Sequence, residues 1–162
     1  MKYARHNDAD LRLASARLLA DAIARSAADE AHKRELLHIC LWKVTEAEGT
    51  KYNVRFRSVQ SLDAPKDRLE HDHVFQRNRL VDRMLAEPDR AGDIALEAVG
   101  CVVTAQEHKK LSALSSQRLE LDGWARYATA EIRVIDTMTG DELTHLASAP
   151  LSTGTHLSVV GQ

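Results

Sequence analysis

Apolar residues recur along this chain first at helical and then at strand spacing. Between Asp8 and Ser26, Leu11, Ala14, Leu18 and Ala22 fall on one stripe, with Leu19 and Ile23 beside it. Asp8 or Asn7 stands where a helix cap belongs, so a first helix packed through its leucines is expected, with Arg12, Arg17 and Arg25 mostly off the stripe. Asp29 is a second capping candidate, and Leu37, Cys40, Leu41, Val44 and Ala47 repeat at helical spacing up to Gly49, a C-terminal stop. Trp42, on the flank of that stripe, reads as a packing anchor. From Lys51 to Gln60, Tyr52, Val54, Phe56 and Ser58 alternate with Asn53, Arg55, Arg57 and Val59, which predicts a strand with one basic face.

A loop at 63–67 leads to Leu69-Glu-His-Asp-His-Val, where Leu69, His71 and His73 share one side of an extended segment and Glu70, Asp72 and Val74 the other. Arg77 to Glu87 is an amphipathic helix with Leu80, Val81, Met84 and Leu85 inward, stopped by Pro88, and a short helix follows through Ile94 and Ala98. Gly100 opens a β-branched strand at 101–103. Thr104 with Glu107 three residues on forms a capping box for a helix through His108, Leu111 and Leu114. Leu119 to Ala130 reads as a helix carrying Trp124 and Tyr127, 131–136 as a strand, and 137–140 as a turn. The last residues, 141–162, are poor in charge and read as a tail or a late-docking segment; His145 and His156 there have no acidic neighbour.

Composition narrows the picture. A chain of 162 residues fits one domain with a real core. Within it, 1–48 supplies N-terminal helices, 50–114 a strand and a strand, strand, helix core with a helical insert, 115–140 a helix and a strand, and 141–162 the tail. The expected class is α+β, mainly helical, with one or two strands beyond that core. Two distant cysteines give no disulfide framework, and no apolar run reaches membrane-spanning length, so no signal peptide or anchor and a cytoplasmic location are expected. A formal net charge of −2 argues against coating nucleic acid by bulk electrostatics. A local basic face remains available: Arg55 and Arg57 precede the histidine cluster, Arg77 and Arg79 follow it, and Lys109 and Lys110 flank His108.

The candidate chemistry lies at 70–73 and at His108. A strand bearing Asp72-His73, a second strand and a helix bearing His108 can bring three polar side chains around one cation. Asp72-His73 followed by apolar Val74, then Val102-Val103-Thr104 and a helical His108 followed by Leu111, resembles the ββα-metal core of the His-Asn-His (HNH) nucleases. The resemblance covers roughly a quarter of the chain. It implies that Asp72 and His108 hold a divalent ion, Mg²⁺, Mn²⁺ or Zn²⁺, and that His73 is the general base against a phosphodiester, with DNA favoured over RNA and a setting in phage, mobile-element or defence biology. His71, Asn78 and Glu107 are auxiliary candidates, Asn78 for the family's middle asparagine. Gln76 stands where many members have proline, and the paired CxxC motifs are absent.

Two other readings fit the same residues. One is a catalytically inactive relative that binds or regulates a nucleic-acid machine or a protein partner. The other is a wholly helical interaction module with the histidines on its surface. The first helix suits packing on the core, pairing in a homodimer, or a partner.

Overall fold

The structure, a computed structural model, describes residues 3–143. Among them are six α-helices and a four-stranded mixed sheet, so the α+β, mainly helical class holds and a wholly helical module does not. The helices are α1 (Ala9–Arg25), α2 (Glu30–Thr45), α3 (Arg77–Ala86), α4 (Ala91–Ala95), α5 (Ala105–Gln117) and α6 (Trp124–Thr129). The strands are β1 (Phe56–Ser58), β2 (Leu69–His73), β3 (Gly100–Thr104) and β4 (Val134–Asp136), ordered β2-β3-β1-β4. β2 and β3 are antiparallel, β3 and β1 parallel, and β1 and β4 antiparallel.

Helices α1 to α4 form one layer around Leu37, Leu41, Leu80, Val81, Met84 and Ile94. α1 joins it by a different face from the one its leucines suggest. The buried stripe is Ala9, Ala16, Ala20 and Ala24, while Leu11 and Leu18 are exposed. The reason is proximity to α4. A Cβ on Gly92 would lie 2.6 Å from Arg17 Cγ and 2.7 Å from its carbonyl oxygen, and the Gly92 N–H donates to Asp21 Oδ1 at 2.7 Å. At that spacing small side chains fit and leucines do not.

The sheet separates two further clusters. Cys101 and Val103 face Leu111 of α5 and Tyr127 of α6, with Val74, Ile132 and Val134 completing that side. Val102 points the other way, onto Leu69 and Val54. Several expected elements are shorter in the structure; the helix expected through Ile94 and Ala98 is α4, which ends at Ala95. The basic-faced strand of 51–60 reduces to Phe56–Ser58, because Arg57 turns inward and a single 3-10 turn begins at Val59. The 119–130 helix starts only at Trp124, after Gly123 at φ +60°. The 131–136 strand is β4, starting at Val134.

The 137–140 turn is present, with the Gly140 N–H donating to Asp136 O at 2.7 Å. Residues 141–143 then return beside β4, Leu143 N–H donating to Val134 O at 2.8 Å, which is the docking alternative for the start of that segment. The rest of that segment, with His145 and His156, lies outside the described residues. Among the described residues no helix is long and apolar enough to cross a membrane.

Candidate active site

Register decides which side chains meet. Asp72 pairs with Cys101, so its carboxylate shares the α5 and α6 side of the sheet. His71 pairs with Val102 and His73 with Gly100, which sends both imidazoles to the opposite side, against Trp42 of α2. Gly100 leaves the space the His71 ring occupies: a Cβ there would lie 2.7 Å from His71 Cε1 and 2.8 Å from its Nε2.

On the first side, α5 brings His108 to the end of β2. The helix begins where its sequence predicts. Thr104 Oγ1 accepts from Glu107 N–H at 3.2 Å, and Glu107 Oε2 accepts from Thr104 N–H at 2.8 Å. The same oxygen accepts from Ser58 Oγ at 2.6 Å, so buried Glu107 ties α5 to β1 and β3 and stands outside the site. One turn on, His108 Nε2 lies 3.7 Å from Asp72 Oδ1. The other carboxylate oxygen, Oδ2, is already occupied: it accepts from Arg126 Nη2 at 2.8 Å and from Tyr127 OH at 2.7 Å.

The arrangement fits a small divalent ion at one corner. Two ligands at about 2.1 Å from a common point, separated as Oδ1 and Nε2 are, subtend about 120°, somewhat wider than the tetrahedral angle. No group of three or more His, Cys, Asp or Glu side chains among the described residues gathers to hold a metal. A cation would therefore have two protein ligands and complete its shell with water or substrate oxygens.

His73 lines the same hollow but in a different setting. Both ring nitrogens are buried without a hydrogen-bond partner, and the ring stands edge-on to Trp42 at 4.5 Å. Burial, followed by the neighbouring His71 and Arg77, drives its pKa down to about 3, so the ring is neutral at physiological pH. His71 is fully engaged, Nδ1 with Lys51 O at 2.8 Å and Nε2 with Thr45 Oγ1 at 3.2 Å; burial lowers its pKa as well. It therefore serves as a packed support.

The hollow has a volume of about 570 Å³, and Asp72, His73, His108, Asn78 and Arg77 all line it. Arg77 lies over the Trp42 ring at 5.4 Å, a cation–π contact that holds its guanidinium at the rim. Lys109 and Lys110 are exposed on α5 beside His108. The other arginines expected to form a basic face are engaged elsewhere. Arg55 donates to Asp136 Oδ2 at 2.9 and 2.5 Å, and Arg79 lies 3.9 Å from Asp122. Arg57 is buried and donates to Tyr52 O and Ser61 O, so it cannot offer its charge to a phosphate.

Sequence reasoning missed Arg126, Tyr127 and Ser115. Arg126 sits between Trp124 and Tyr127 in a stretch read as core packing. A lone arginine within a short aromatic helix is the one local signal it leaves. Both cysteines are buried thiols with pKa values raised by burial, so neither is a reactive thiolate. Comparison with known proteins finds no matching family model, no curated protein and no solved structure similar to this chain.

Proposed function

We propose that the chain is a metal-dependent nuclease of the HNH type, hydrolysing phosphodiesters, with DNA favoured as substrate. The observation that carries this reading is the approach of Asp72 Oδ1 and His108 Nε2 to 3.7 Å, made by two antiparallel strands and a capped helix. Asp72 and His108 would hold Mg²⁺, Mn²⁺ or Zn²⁺. A divalent ion bound there would polarise a phosphate oxygen and stabilise the leaving oxygen.

The chain's own residues do the rest. His73 keeps an unprotonated imidazole with a free nitrogen lone pair, which would take a proton from water only once the hollow opens to that nitrogen. Lys51 and Arg77 line the hollow with positive charge, which suits a phosphate chain at local rather than global range; Lys109 and Lys110 are exposed on α5 outside its lining.

The test is cleavage of supercoiled plasmid with Mn²⁺ or Mg²⁺. Wild-type protein nicks or linearises it and EDTA stops the reaction. His73→Ala loses at least a hundredfold in rate with an unchanged circular dichroism spectrum. Full cleavage by His73→Ala would remove His73 as the base.

A second reading has its own support. The His73 nitrogens are shut away from solvent, a poor place for a working base, and this favours a binding or regulatory protein that keeps the ββα unit without its chemistry. Plasmid left intact under every metal condition, with retained binding to a DNA duplex, is its expected result.

A further inference from the structure

Arg126 is 4% exposed and makes more polar contacts around the hollow than any of the residues singled out by sequence. Its Nη2 donates to Asp72 Oδ2 at 2.8 Å, to His73 O at 2.7 Å and to Val74 O at 3.1 Å. Its Nη1 donates to Ser115 Oγ at 2.8 Å, two turns along α5 from His108. One planar guanidinium thus joins the end of β2, which carries one candidate ligand, to the helix that carries the other. Tyr127, the next residue, adds a second donor to the same carboxylate oxygen at 2.7 Å.

Both donors act on Oδ2 and neither on Oδ1. A free aspartate turns about its last torsion and can chelate a cation with both oxygens, whereas this one has a single oxygen facing His108. We infer that Arg126 and Tyr127 are positioning residues that fix Asp72 as a one-oxygen ligand aimed at the point it shares with His108. This rests on the metal-site reading above and goes beyond it in saying what holds the ligand. The inference stands on the two hydrogen bonds to Oδ2, the contact of Arg126 with α5, and the unengaged Oδ1. Partners that orient a ligand matter nearly as much as the ligand: their loss typically costs about 10–100-fold in metal affinity.

The experiment is a calorimetric Mn²⁺ titration of the full chain, with a melting curve of each metal-free protein. Tyr127→Phe removes a single hydroxyl, and Arg126→Lys keeps the charge but cannot span the four acceptors. Tyr127→Phe is expected to bind Mn²⁺ about tenfold more weakly with a metal-free melting temperature near that of wild type. Arg126→Lys, if it folds, is expected to lose more. A merely structural role would lower the melting temperature and leave Mn²⁺ affinity where it was. Affinity within twofold of wild type in Tyr127→Phe overturns the inference while leaving the metal site standing. Absence of Mn²⁺ binding by the wild type itself overturns the metal site and this inference with it.

Discussion

The two sides of strand β2 solve opposite problems with neighbouring residues. On one side, His71 and His73 are packed against Trp42, and both stay neutral because burial lowers their pKa values. On the other, Asp72 stays beside a guanidinium and a phenol that each donate to it. A neutral imidazole tolerates a dry wall and even two orphaned nitrogens. A carboxylate in the same depth of structure needs fixed donors, since an unpaired buried charge costs several kcal/mol. The difference teaches that candidate base and candidate ligand are adjacent in sequence yet set by separate environments, so each can be altered alone.

The largest effect should come from breaking the charged side. Arg126→Ala leaves Asp72 without its cation and strips donors from two backbone carbonyls and Ser115. It is expected to destabilise the fold by about 3–5 kcal/mol, measured by urea denaturation. A loss below 1 kcal/mol would mean that Asp72 does not depend on its partner.

The neutral side should answer to pH. His71 and His73 have folded pKa values below the ordinary 6.5, so below that pH the unfolded chain binds more protons than the folded one. Their stability contribution is complete above about pH 6.5 and is lost as pH falls, toward about 3 for His73. Each histidine contributes a slope of up to about 1.4 kcal/mol per pH unit. Denaturation of metal-free protein at pH 7.5, 6 and 5 checks this, and a flat profile would place the rings in contact with water.

The smallest effect separates stability from function. Replacing His73 by Leu removes two unpaired buried nitrogens from the Trp42 wall, so it should stabilise the protein by about 1 kcal/mol while ending cleavage. A destabilised His73→Leu would show that the ring makes interactions a leucine cannot replace.

How much of this could be read from sequence depended on how far apart the partners lie. The Thr104 and Glu107 cap is a contact three residues long and was readable at once, as was the alternation that divides Asp72 from His71 and His73. The approach of Asp72 to His108, 36 residues apart, was an expectation from the strand, strand, helix order and from a resemblance, not from any local pattern. Arg126 was not readable, because its acceptors at Asp72, His73 and Val74 lie more than 50 residues away, and nothing nearby in sequence says which strand end α6 will meet. α1 shows the other limit. Its leucines and its alanines both repeat at helical spacing, and only the close approach of Gly92 selects the alanine face. Arg57 likewise alternates correctly along its segment, yet the carbonyls of Tyr52 and Ser61 draw it inward.

The segment between β2 and β3 has a consequence for how the molecule comes into being. These strands are neighbours in the sheet, but α3 and α4 intervene along the chain, and both belong to the layer built on α1 and α2. A tight hairpin can nucleate by itself; this pair must wait for a long loop to close, and closure is favourable only once the helices it contains have collapsed on their neighbours. A peptide cut to 68–117 should therefore remain unstructured, and any cation affinity should emerge in the same cooperative step as the far helical wall.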